Sequence, residues 1–192
     1  MKNRMVILVS GAVLALGACG KHDATSSTTN SDLNMTADNG MVANTAAEAP
    51  SPLTAQGFAN AAAASDRFEI ESSKLAATAA SSAAVKKFAA QMITAHTAST
   101  AKLKTTTAAL SPAVTPDDTL SADQQSKLDS LKGQNGAAFD SAYASAQVDA
   151  HQKTLDALKN YSASGDNAQL KTLANGMIPT VSAHLNLAKG LK

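Results

Sequence analysis

The chain has 192 residues, 44% hydrophobic and 16% charged, with 3% aromatic residues, no Trp and one Cys. A single Cys excludes a disulfide within the chain, and 16 basic against 15 acidic residues, scattered along it, give no electrostatic footprint for nucleic acid. Abundant Ala with only 10 Gly argues for helices over a β-sandwich or barrel, and the length suits one domain plus tails.

The first segment reads as an address. Lys2 and Arg4 precede a short apolar stretch, Met5 to Leu16, interrupted by Ser10 and Gly11. A membrane-spanning helix needs roughly 20 apolar residues, so the stretch is predicted to be a signal-peptide core. Leu16-Gly17-Ala18-Cys19 resembles the bacterial lipobox: an aliphatic residue, two small residues that let the peptidase approach, and a Cys whose thiol takes the lipid. The only Cys of the chain falls at that point, which a plain secretory signal would not require. Residues 1–18 are therefore expected to be a lipoprotein signal peptide and Cys19 the lipidated terminus. Two or three acyl chains, as in bacterial lipoproteins, anchor stably where one does so only marginally. Gly20 rather than Asp after Cys19 points to the outer membrane of a bacterial envelope, with the domain in the periplasm.

Residues 19–52 are expected to form a disordered tether. Between Lys21 and Pro50 the chain is built from Ser, Thr, Asn, Asp and Ala, without helical or alternating periodicity, and Pro50 and Pro52 close it. A coil of this length reaches roughly 30 Å, enough to stand a small domain off a lipid surface. His22 and Met35 lie here as solvated residues.

Residues 53–192 read as a four-helix domain. Thr54 caps a first helix running to about Ala80, with Phe58, Ala62, Ser65, Phe68, Glu69, Ser72 and Ala76 on one broad face. Ser81-Ser82 breaks it and caps a second helix to about Ala109, whose stripe is Val85, Phe88, Ala89, Met92, His96, Ser99 and Leu103. A connector follows, beginning at Ser111-Pro112. It carries a short helix of its own, since Ser121 and Gln124 stand at capping-box spacing before Leu128 and Leu131. Asn135-Gly136 makes a turn into a third helix to about Tyr161, with Ala144, Gln147, Val148, His151, Leu155 and Leu158 on its face. Asp166 and Gln169, again at capping spacing, open a fourth helix with Leu170, Leu173, Ala174, Met177, Val181, His184 and Ala188 on one side. Pro179 within it predicts a kink or break. The long link between the second and third long helices allows a ferritin-like crossover; an up-down-up-down bundle with a decorated loop is the alternative.

The chemistry on offer is three histidines and one carboxylate. His96, His151 and His184 lie on the apolar stripes of three different helices, and the remaining long helix presents Glu69, about 20° from Phe58, whereas Glu71 points nearly opposite. Imidazoles and a carboxylate converging in a bundle core suit one transition-metal ion, Zn, Cu, Fe or Mn. Asp140, three turns before His151, is a candidate supporting carboxylate. The competing reading is three core histidines held by hydrogen bonds, with Glu69 paired to one of them, because an unpaired buried Glu or His costs several kcal/mol. No Glu-x-x-His pair is present: Ile93, Val148 and Val181 stand three residues before the histidines, which argues against a carboxylate-bridged di-iron site. No Gly-x-Ser-x-Gly elbow or glycine-rich phosphate loop appears, so no catalytic motif is found. Met92 and Met177 read as core filling.

The run Ser65-Asp66-Arg67-Phe68-Glu69-Ile70-Glu71 resembles the opening of a bacterial envelope family of unknown function with a predicted ferritin-like domain. So do Val85-Lys86-Lys87-Phe88-Ala89, Met92-Ile93-Thr94-Ala95-His96, Phe139-Asp140-Ser141-Ala142-Tyr143, Gln147-Val148-Asp149-Ala150-His151 and Ile178-Pro179-Thr180-Val181-Ser182-Ala183-His184. The resemblance spans residues 54–191; the family pattern has Asp where this chain has Ala95. It implies a ferritin-like fold and an exported protein or lipoprotein, and no established reaction. Two readings follow. One is an envelope-anchored binding or structural module, held to the membrane through Cys19 and meeting a protein partner of the envelope. The other is a metal-binding bundle with Glu69, His96, His151 and His184 as ligands, serving metal storage, sensing or redox protection.

Overall fold

The computed structural model describes Ser51 and residues 53–191. The signal segment, Cys19 and the tether expected at 1–18 and 19–52 lie outside the described residues, Ser51 apart. Five helices follow in order: α1 (Ala55–Ala79), α2 (Ala83–Ala108), α3 (Ala122–Lys132), α4 (Gly136–Ser164) and α5 (Ala168–Lys189). Among the described residues there is no strand, only an isolated bridge between Ala80 and Gly136. No described helix is long and apolar enough to cross a membrane.

The helix starts follow local chemistry. Thr54 accepts from Gly57 N and Ser82 from Val85 N, and Ser121 with Gln124 closes a reciprocal capping box. At α4 the Asn135 side chain makes no cap bond, and the turn rests on Gly136, whose φ of 62° is open to glycine at no steric cost. At α5 the cap falls one residue later than the spacing of Asp166 and Gln169 suggested. Asn167 accepts from Gln169 N and Leu170 N, while Asp166 accepts from the Tyr161 hydroxyl at 3.0 Å. The helix break expected at Pro179 is absent, and α5 runs through it. Pro179 and Asn175 are both exposed, so the carbonyl that loses its amide partner faces water.

The four long helices form a square in which α1 adjoins α2 and α4, and α5 adjoins α2 and α4. Ser65 bonds Thr154 at 2.8 Å and Ser73 bonds Tyr143 at 2.7 Å, so α1 and α4 run antiparallel. The link from α2 therefore has to return along the whole bundle. It does so beside α1: Gln56 donates to Thr115 O, Asn60 accepts from Asp117 N, and Gln124 donates to Ala64 O. Leu128 and Leu131 of α3 then pack with Phe68, Phe139 and Tyr143. One long crossover is the connectivity of ferritin-like bundles.

Two apolar clusters fill the bundle. One gathers Phe68, Val85, Phe88, Met92, Phe139 and Tyr143; the other gathers Phe58, Leu103, Leu155, Leu158, Tyr161 and Leu170. Along α2 the core passes from the first cluster at Met92 to the second at Leu103, and along α4 from Ala146 to Leu155. The intervals hold buried polar residues, His96 on α2 and Gln147 and His151 on α4, with Asp66 and Glu69 on α1. Each fully buried Leu or Phe contributes about 1.5–3 kcal/mol, and these clusters lie on either side of the polar layer.

Candidate metal centre

The three domain histidines meet. Ring centroids are 5.6 Å apart for His96 and His151, 5.8 Å for His96 and His184, and 5.5 Å for His151 and His184. One ring nitrogen from each lies within 4.8 Å of the other two. A common centre is then within about 2.8 Å of all three, against about 2.0–2.1 Å in a formed imidazole site, so small ring rotations close the set.

On His96 and His151 the other ring nitrogen is committed, which fixes where the free one points. His96 Nδ1 bonds Asp66 Oδ1 at 2.8 Å, and the second oxygen of Asp66 accepts from Thr100 Oγ1 at 3.1 Å. His151 Nδ1 donates to the Gln147 carbonyl at 2.9 Å. His96 Nε2, His151 Nε2 and His184 Nδ1 are buried without any hydrogen-bond partner. An imidazole held at Nδ1 by a carboxylate or a carbonyl, with Nε2 free, is the arrangement seen in metal-ligating histidines.

Burial pushes the pKa of His151 down to about 4 and that of His184 likewise, with the nearby His96 charge adding to the effect. Both are uncharged at neutral pH, the form that binds a metal. Burial also opposes charge on His96, but its bond to Asp66 and the neighbouring Glu69 outweigh this and leave its pKa raised.

Glu69 does not join the nitrogen triangle. It is almost wholly buried, and its Oε1 lies 3.5 Å from His151 Nδ1, the nitrogen turned towards Gln147 and away from the free Nε2. Sharing a helix face with the histidine stripe placed Glu69 in the core but behind the ring. Its burial pushes its pKa up to about 7. Glu71 points outward as expected and pairs with Arg67 at 2.8 Å.

Asp140 is likewise not a supporting carboxylate. It accepts from Ser81 N at 3.1 Å and Ser82 N at 2.9 Å and from the Ser81 hydroxyl, so it ties the start of α2 to α4 at the far end of the helix. The carboxylate that does support the histidines, Asp66, was not singled out by the helical pattern. It lies about 80° from Phe58, at the edge of the apolar face, and the usable signal was its position one turn before Glu69. Met92 is fully buried in an apolar cluster, as its place on the stripe implied.

A family model described as a domain of unknown function (DUF4142) matches residues 40–191. No curated protein matches the chain by sequence. Among solved structures, CopM in the Cu(II)-bound form is similar with a TM-score of 0.60 at 18% identity, covering 71% of this chain and 94% of that one. CopM in the Ag-bound form gives 0.58 at 18% identity, covering 71% and 93%. At such identity the likeness is one of fold.

Proposed function

The chain belongs to the DUF4142 family of domains of unknown function, and from that premise we propose that it is a metal-binding helical bundle anchored to the bacterial envelope through lipidated Cys19. It holds one transition-metal ion on His96, His151 and His184, in storage, sensing or redox protection at the outer membrane. The observation behind this reading is the set of three buried ring nitrogens, from three helices, that face one another without partners. As packing residues of a purely structural module they would leave each nitrogen unsatisfied, at about 1–3 kcal/mol apiece. A bound ion satisfies all three at once.

Copper is the favoured ion. Imidazole suits Zn, Cu, Fe and Ni among the first-row metals, and Cu(II) stands at the top of the affinity order. The bundle is shared with CopM, whose solved forms are described as Cu(II)-bound and Ag-bound. The lipobox-like Leu16-Gly17-Ala18-Cys19 supports the envelope address. The test is the metal content of residues 51–192 purified without chelator or affinity histidines. The reading requires about one ion per chain, lost in His96→Ala and His184→Ala variants that stay helical. A metal-free domain whose melting temperature ignores added Cu, Zn, Fe and Mn refutes it, and makes the histidines core packing in a module that works through a protein partner.

A further inference from the structure

The square of long helices has one covered side and, opposite it, a bare one. The link and α3 lie along α1 and α4, and no further helix covers the side where α2 adjoins α5. Neither α2 nor α5 contains an Asp or a Glu, yet together they carry Lys86, Lys87, Lys102, Lys104, Lys171 and Lys189. Among the described residues none of these lysines joins an ion pair, whereas the paired cations, Arg67, Lys127, Lys132 and Lys153, all stand on the other helices. Charges scattered along the chain are sorted in space.

The lysines frame the bare side. Lys102 lines the cleft between α2 and α5, and Lys87 lies about 60° round α2 from it. Lys86 and Lys104, about five turns apart, share the edge towards α1, where Lys104 meets α1 residues across a surface cleft. Lys171 and Lys189, also about five turns apart, share the edge towards α4, and Lys171 donates to Ala163 O at 3.0 Å. All but the half-buried Lys171 are exposed. Between the edges the surface is small and uncharged: Ala98, Gly176 and Thr180 are exposed, and Leu187, within about 20° of Gly176 round α5, is 51% exposed. The nearest carboxylate to Lys86, Asp140, is taken up by Ser81 and Ser82 at the end of the bundle.

Resting on the envelope anchor proposed above, we propose that the α2–α5 side docks flat on an anionic lipid surface. The lysine ammoniums meet headgroup phosphates, their stems lie along the helices, and Leu187 enters the headgroup layer. The helix α2, 26 residues long, offers a straight edge of about 39 Å. A bilayer is the fitting occupant because a chain anchored at Cys19 holds its domain within the tether's reach of roughly 30 Å. At that effective concentration an electrostatic contact too weak to recruit a free protein is enough to orient a tethered one.

The test uses the mature lipidated chain in two kinds of vesicle: phosphatidylcholine alone, and two parts phosphatidylcholine to one part phosphatidylglycerol. Retention on both through a high-salt wash checks the anchor first. Acetylation of each lysine is then followed by mass spectrometry. In the anionic vesicles Lys87 and Lys102 should react at least about fivefold more slowly than in the neutral ones, the factor one lysine gains at such a surface. Lys132 and Lys159, on α3 and α4, should react alike in both. The protection should vanish in about 1 M salt, which shortens the screening length to about 3 Å. In a Lys87→Glu, Lys102→Glu variant, whose changes are confined to exposed positions, Lys86 and Lys104 should lose their protection while the chain stays anchored. A retained chain whose lysines react alike in both vesicles overturns the docking and leaves the anchor reading intact. Equal protection in neutral vesicles also overturns it, because the face is then covered by the acidic stretch holding Asp23, Asp32, Asp38 and Glu48 or by a second copy. A chain that washes off both vesicles overturns the anchor reading and the docking together.

Discussion

If His96, His151 and His184 hold a metal ion as proposed, replacing Asp66 by Ala should weaken its binding without removing any ligand. The carboxylate is 3% exposed and accepts from His96 Nδ1 at 2.8 Å and from Thr100 Oγ1 at 3.1 Å. Without it the His96 ring can turn, or shift its proton to Nε2, the nitrogen the metal needs. Carboxylates in this position tune affinity about 10- to 100-fold, which is about 1.4–2.7 kcal/mol. The metal-free fold should also lose about 1–3 kcal/mol, the cost of a buried donor left without an acceptor. Asp66→Asn separates the two effects. Its amide oxygen still accepts from Nδ1 and its amide nitrogen can donate to Thr100 Oγ1, so the tautomer survives and the affinity should fall far less. Competition for copper against a chromophoric chelator at neutral pH measures all three proteins. If Asp66→Ala binds as tightly as the wild type while His96→Ala loses the ion, the carboxylate does not orient the ring and the reasoning fails.

Gly165→Ala should destabilise the domain by about 1–3 kcal/mol. The new Cβ would lie 2.6 Å from the Tyr161 ring, which is stacked on Phe58 with centroids 4.1 Å apart and has little room to yield; chemical denaturation giving a loss below about 0.5 kcal/mol would show that the ring moves freely. Asp140, whose pKa is lowered chiefly by its bond to the Ser81 hydroxyl, should contribute stability above the ordinary Asp range that is lost as pH falls through its depressed value. Asp140→Asn should therefore melt earlier at neutral pH and lose less on acidification below about pH 4; melting curves with the same acid dependence as the wild type would contradict this.

Much of the fold was legible because the signals are local. Thr54, Ser82 and Ser121 each sit where a side-chain oxygen meets free amides at a helix start, and the structure places the caps there. The link after α2 announced its own helix through Ser121 and Gln124, but its path was open between a crossover and a decorated loop. That path depends on side chains far apart in sequence, such as Gln56 with Thr115 and Asn60 with Asp117, and no periodicity encodes them. Asp166 misled for a similar reason: its carboxylate is taken by Tyr161, a competing partner on the preceding helix, so the cap passed to Asn167. Of the kink or break expected at Pro179, the break is absent: proline costs the helix one hydrogen bond, and both Pro179 and Asn175 are exposed, where water can take its place.

The histidines were found by face and could not have been grouped by face alone. Stripe position gives an angle around each helix, whereas a shared centre also needs equal depth along the bundle, and depth is set by how far the helices slide past one another. Antiparallel pairing through Ser65 with Thr154 and Ser73 with Tyr143 fixes the slide of α1 on α4. It brings Glu69 level with His151, yet on the Nδ1 side of the ring, so that angle and depth both agreed and the carboxylate still missed the centre. What decides is which ring nitrogen is already engaged. His151 spends Nδ1 on the carbonyl of Gln147, four residues earlier on its own helix, and His96 spends Nδ1 on Asp66. Each leaves Nε2 for the shared point. For His96 and His151, the nitrogen left to face the other histidines is therefore determined less by the helix face each occupies than by the neighbour that takes the other nitrogen.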